Sequence, residues 1–172
     1  MSAVVLVEGA SDRIALETLA RRQDRDLAAE GVSIVAIGGA QAVGRVLDDL
    51  VGSGVSIAGL CDAGEEQAFR RAFERAGLEP DRVHACVADL EDELIRALGP
   101  DAVEAVFEAN GDLGSFRTLQ KQAAWNGRPV EDQLRRFMGS GARRKGRYAE
   151  LLVDALGLEA MPRPLLGVLA DV

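Results

Sequence analysis

Carboxylates recur in this sequence where an apolar run stops. Glu8 closes AVVLVE, Asp62 follows VSIAGLC, and Asp89 and Glu91 follow RVHACVA. Asp12 and Glu65 come slightly later, on the first turns of the helices expected after the first and third runs. An acid at a helix start has an ordinary use: it caps free N–H groups and meets the positive end of the helix dipole, for roughly 0.5–1 kcal/mol. Taken singly, Asp12, Glu65 and Asp89 suit that role. Glu8 and Asp62 do not, because each stands at the end of a strand. Buried there without a partner, a charge would be costly, so both belong at the rim of a sheet. If the first and third strands are neighbours, these two acids face each other across about 5 Å of sheet spacing. Carboxylates that close repel unless a proton or a cation lies between them. An all-oxygen set of this kind suits Mg²⁺ or Mn²⁺ better than zinc.

The elements that must position these acids alternate. Segments 3–8, 31–37, 55–61 and 82–88 read as strands, and 12–29, 41–51, 65–76 and 89–98 as the helices between and after them. Unbroken Val/Ile/Leu/Ala runs, without alternation, predict strands covered on both faces and hence a parallel sheet. Ligands of such sheets bind beyond the carboxyl ends of the strands, which is where the acids fall. After Pro100 no comparable strand follows. Segments 101–109, 115–125, 130–138 and 147–157 read as helices, separated by breaks at Asn110-Gly111, Asn126-Gly127 and Gly139-Ser140-Gly141. The fold class expected is α/β, with a Rossmann-like core of about four parallel strands over 1–98 and a helical extension over 99–172. The last stretch, MPRPLLGVLADV, is expected to pack back on the core, with an interface as the alternative.

Composition narrows the function classes. With 172 residues, 48% apolar and 28% charged, the chain has the make-up of a globular protein with a sizeable core. No apolar run approaches the roughly 18–20 residues of a membrane span. No basic, apolar leader precedes Glu8 and Asp12, so a cytoplasmic protein is expected. Cys61 and Cys86 lie in strand-like runs and read as buried thiols, without the spacing of a zinc site. His84 is the only histidine, sits within a strand run, and leaves no imidazole for a nucleophile–base triad.

A net charge of −8 argues against general nucleic-acid binding, yet RRFMGSGARRKGR (135–147) holds six bases and no acid. Arg135, Arg136, Arg143, Arg144, Lys145 and Arg147 are therefore candidates for phosphate contact, against the plainer reading of a solvated face. Trp125, Tyr148 and Phe116 are too scattered for a stacking platform, and core packing is their expected role. IGGAQAVGR (37–45) places Gly38 and Gly39 between a strand and a helix, where backbone N–H groups can take a phosphate. It is neither GxGxxG nor GxxxxGK[ST], so a ligand-free tight turn fits equally, and no Walker A loop is present.

Four stretches in order, VLVEGASD (5–12), GLCDAGEE (59–66), DLEDEL (89–94) and RKGRYAELL (144–152), together resemble a Toprim domain of the type found in overcoming-lysogenization-defect (OLD) nucleases. The resemblance implies metal-dependent phosphodiester chemistry on DNA. It makes Glu8 a general acid/base or metal ligand, Asp12 a further acid, and Asp62 the first member of a metal-binding Asp-x-Asp pair. Glu91 matches a late acid of the family and Lys145 a lysine that steadies the scissile phosphate. The pattern departs at Gly64, where the second aspartate should stand; Glu65 and Glu66 are the nearest substitutes. Full-length nucleases of this family carry an ATPase domain, so here an ATPase is expected to act in trans or to be dispensable. Two other readings stand beside the nuclease. One is a non-catalytic nucleic-acid-binding or regulatory module with a degraded metal site. The other is a small-nucleotide phosphotransferase or phosphohydrolase, with a pocket closed over the Gly38-Gly39 turn.

Overall fold

The computed structural model describes residues 2–172. β1 (Ala3–Val7), β2 (Val32–Ala36), β3 (Ser56–Cys61) and β4 (Val83–Ala85) form one parallel sheet in the order β2-β1-β3-β4. The unbroken apolar runs of β1 and β3 follow from their central places. Val5, Val7, Ala58 and Leu60 enter one apolar cluster, and Leu6, Ile57 and Cys61 enter another on the opposite face. β2 departs from the expected two-sided cover: it is an edge strand, and Ser33, Val35 and Ala36 are exposed.

The connections are helices, as the alternation requires: α1 (Ala10–Arg22), α2 (Val43–Leu50), α3 (Glu66–Arg75) and α4 (Leu90–Leu98). α1 stops seven residues short of its expected end at Ala29. The Arg25 amide turns back to the Ala20 carbonyl at 3.0 Å, and Asp24 takes a left-handed φ of 57°. Such closure ends a helix by satisfying its last carbonyls. β4 is only three residues long, against the seven expected.

Five further helices follow: α5 (Pro100–Ala109), α6 (Leu113–Lys121), α7 (Val130–Met138), α8 (Ala142–Ala155) and α9 (Arg163–Ala170). α8 starts five residues earlier than its expected 147, because the break at Gly139-Ser140-Gly141 is complete by Gly141 (φ 118°) and Ala142-Arg143-Arg144-Lys145 are good helix formers. The basic residues 143–147 therefore project from a helix, not a loop. α9 packs back on the sheet as expected, burying Leu165, Val168 and Leu169.

The helices after residue 99 share the core of the sheet. Phe107, Phe116, Phe137 and Tyr148 form an aromatic group with most ring centroids 4.7–5.5 Å apart, and they join the same cluster as Val5, Val7 and Leu60. α8 lies close along α1. At Gly146 a Cβ would stand only 3.0 Å from Ile14 Cδ1, so glycine permits the approach that carries Lys145 toward the carboxyl edge of the sheet.

Phe107 touches three other rings of this group. Phe107→Ala should cost about 3–5 kcal/mol of stability, read as a lowered midpoint in chemical denaturation. An unchanged midpoint would show that the aromatic group does not hold the extension to the sheet.

Candidate active site

The strand order reverses beside β1: β2 lies on one side of it and β3 on the other. Connections diverge at such a point and leave a crevice beyond the strand ends. Val7 pairs with Leu60, so the two strands run out together and Glu8 emerges beside Asp62. Glu8 Oε1 accepts the Asp62 backbone N–H at 2.8 Å. The acid that ends one strand thus reaches across to the end of its neighbour.

Asp12, in the first turn of α1, accepts the Gly9 N–H at 2.9 Å. Glu91, in the first turn of α4, is 7% exposed and lies 3.2 Å from Lys145 Nζ of α8. Asp89 caps α4 through the Asp92 N–H and pairs with Arg135 of α7. Five acids and one lysine from β1, α1, β3, α4 and α8 therefore share one electrostatic neighbourhood. Asp62 is pushed up to about 7, first by burial and then by Glu8, Asp12, Asp89 and Glu91. Asp12 is pushed up to about 6, mainly by burial; the Gly9 N–H opposes this, and Glu8 and Glu91 add to it. For Lys145, burial is the largest influence and would lower the ammonium pKa, but Glu91, with Asp12 and Asp89, more than offsets it, so the group stays charged.

The donor chemistry fits a hard divalent cation: oxygen ligands only, crowded beyond what solvent screening relieves. Among the described residues, however, no three acids converge as a ready-made metal set. Glu8, Asp12 and Glu91 each spend an oxygen on a protein donor instead.

Several expected residues are placed elsewhere. Glu65 lines a separate groove with Gln41, Arg71 and Arg75, and it is not among the main charges that act on Asp12 or Asp62. Glu66 is held by Arg70 at 2.8 Å. Neither acid fills the place left by Gly64, whose missing Cβ would meet nothing within 4 Å. Gly38 and Gly39 have left-handed φ values of 77° and 114°, but both amides donate to the Glu8 carbonyl, at 3.0 and 3.2 Å. They pin the end of β1 and have no N–H left for a phosphate, which removes the anchor for a nucleotide pocket over that turn.

The six bases of 135–147 do not form one patch. Arg135, Arg136 and Lys145 line a groove with Asp89 and Glu91. Arg143, Arg144 and Arg147 line another, beside Asp112, to which Arg147 pairs at 3.0 Å. Arg144 lies over the Phe137 ring, 4.2 Å from its centroid. Phe116 and Tyr148 are buried as expected, but Trp125 is not: the turn between α6 and α7 holds it in the first groove. Cys61 and Cys86 are buried free thiols, and burial pushes Cys61 up to about 12. His84 Nε2 meets Asp171 Oδ2 at 2.8 Å, away from the acids.

Residues 1–63 match the family model described as the TOPRIM domain of overcoming-lysogenization-defect-like proteins. This segment is similar to an OLD-like Toprim domain. The C-terminal region of the Xanthomonas campestris pv. campestris OLD protein superposes with a TM-score of 0.73 at 21% identity, covering 99% of this chain and 91% of that one. The C-terminal region of the Burkholderia pseudomallei OLD protein gives 0.69 at 17% identity, covering 98% and 95%. The shared fold therefore includes the helices after residue 99 as well as the Toprim sheet. No curated protein matches the sequence. Among the described residues no helix is long and apolar enough to cross a membrane.

The raised carboxyls of this crevice fix a pH dependence. Asp62 binds its proton more tightly folded than unfolded, so its contribution falls as pH rises from about 4 through about 7. Asp62→Asn, which cannot ionise, should raise the metal-free Tm by a few degrees at pH 8 and by much less at pH 4. A scan showing the same difference at both pH values would contradict the crowding.

Proposed function

We propose that the crevice beyond β1 and β3 is the site of divalent-metal-dependent phosphodiester hydrolysis, with DNA as substrate. The observation that carries this reading is the gathering of Glu8, Asp12, Asp62 and Glu91 into one mutually repelling group with a charged lysine beside it. The similarity of residues 1–63 to OLD-like Toprim domains supports it. A bound Mg²⁺ or Mn²⁺ would polarise the phosphate and lower the pKa of water. Asp62 and Asp12 would hold the cation in place of the protons they otherwise retain. Glu8, fixed at Oε1 by the Asp62 amide, keeps Oε2 to take or return a proton at the reacting oxygen. Lys145 is shared: the phosphate of a substrate competes with Glu91 for its ammonium and gains a charge that steadies the transition state.

Wild-type protein should nick supercoiled plasmid in the presence of Mn²⁺. Glu8→Ala should slow nicking by about 10²–10⁴-fold and Lys145→Ala by about 10²–10³-fold. Equal nicking by wild type and Glu8→Ala would sink the proposal.

Gly64 and the lack of three converging acids favour a second reading, a nucleic-acid-binding module that holds one cation weakly and does not cut. Gly64→Asp tests whether a ligand is missing at this position. The position is open and its backbone is not left-handed, so the variant should fold. If the site is a metal centre short of one ligand, calorimetric titration should show tighter Mn²⁺ binding than in wild type. Unchanged affinity would mean that the position does not face the cation.

A further inference from the structure

The only tryptophan of the chain lies outside both apolar clusters. Trp125 is half-buried on the turn 122–129 between α6 and α7, and that turn is held firmly. Gln133 of α7, 5% exposed, donates from Nε2 to the Trp125 carbonyl at 2.8 Å, and its Oε1 accepts from Gln120 at 2.8 Å. The Trp125 and Asn126 amides both return to the Gln122 carbonyl, at 2.9 and 2.8 Å. A buried amide side chain is thus spent on keeping a large apolar ring at the surface, at the cost of the transfer energy its burial would have supplied.

The ring and Lys145 line the same groove of about 380 Å³, a space suited to one nucleotide. The Arg128 guanidinium lies over one face of the ring, 5.2 Å from its centroid, with its Nε on the Ala124 carbonyl, so a base would stack on the opposite face or displace it. Of the groove's four bases, Arg135 and Lys145 are matched by Asp89 and Glu91. Arg128 and Arg136 form no ion pair among the described residues and outnumber the remaining acid, Asp132. The groove is therefore locally cationic in a protein of net charge −8. Its chemistry is a π face beside unmatched guanidinium groups. A duplex offers phosphates but hides the faces of its bases, whereas an unpaired strand offers both.

We propose that this groove is a subsite for an unpaired nucleotide of a DNA strand, with the base stacked on Trp125 and the adjoining phosphates held by Arg128 and Arg136. Its position beside the scissile phosphate rests on the nuclease reading; the capture of the strand does not. The substrate class is then single-stranded or locally melted DNA, not continuous duplex.

Because Trp125 is the sole tryptophan, its emission reports this groove alone. Titration in EDTA with an oligothymidylate of about 12 nucleotides should quench the emission, and a blunt duplex of the same length should bind more weakly without quenching. By anisotropy of the labelled strand, Trp125→Ala should lose roughly 5- to 150-fold in affinity, the range of one aromatic–base stack, while Trp125→Phe keeps most of it. Arg136→Gln should lower the salt dependence of binding by about one phosphate. Equal quenching by duplex, unchanged affinity of Trp125→Ala, or quenching by thymidine monophosphate without strand affinity would each overturn the subsite. Since EDTA removes any metal, a strand that quenches but is never cut in Mn²⁺ defeats the nuclease reading and leaves the subsite standing.

Discussion

Repulsion between carboxylates at the end of β1 and the end of β3 is the constraint around which this site is arranged. Two unit charges about 5 Å apart interact by about 3 kcal/mol at an effective dielectric near 20. One hydrogen bond to a carboxylate returns roughly 1.5–3 kcal/mol. The Asp62 amide on Glu8 can therefore offset one such contact, but Asp62 also feels Asp12, Asp89 and Glu91. What remains is met by a retained proton or, when one is present, by a cation. The raised Asp62 and Asp12 carboxyls express that unmet demand.

Holding that group together falls to packing at some distance from it. α8 brings Lys145 to Glu91 only because it lies close along α1, and Gly146 is what lets it do so. α8 is in turn fixed by Tyr148, whose ring packs on Phe107 and whose hydroxyl donates to Asp112. The aromatic group is continuous with the apolar face of the sheet, so the lysine and the acids rest on one packed core. The same architecture recurs along nearly the whole C-terminal regions of the Xanthomonas and Burkholderia OLD proteins.

The basic segment behaves differently from a free cationic patch. Arg135, Lys145 and Arg147 each face an acid within the protein, so most of its charge is internally balanced. An incoming phosphate must exchange one partner for another, and exchange of that kind favours specificity of placement over raw affinity. Unmatched charge is left mainly at Arg128 and Arg136, next to the half-buried tryptophan. For the strand proposed to bind there, this charge lies in the groove that also holds Asp89 and Glu91.

Much of this was legible in the residues alone. Unbroken apolar runs specify buried parallel strands, and acids at their ends specify a polar rim, because both patterns are local consequences of burial. Those readings held for β1 and β3 and for the meeting of Glu8 with Asp62. The family motifs named Glu91 and Lys145, which the structure brings into contact. Other placements depend on partners distant in sequence. The Glu8 carbonyl takes both amides of the Gly38-Gly39 turn, Glu65 turns to the Arg71 side of α3, Arg135 is claimed by Asp89, and Trp125 is kept at the surface by Gln133. Periodicity and spacing tell which residues must be buried or capped. Which donor satisfies which acceptor is settled only when the helices cross, since hydrogen bonds and ion pairs depend on approach to within a few ångströms.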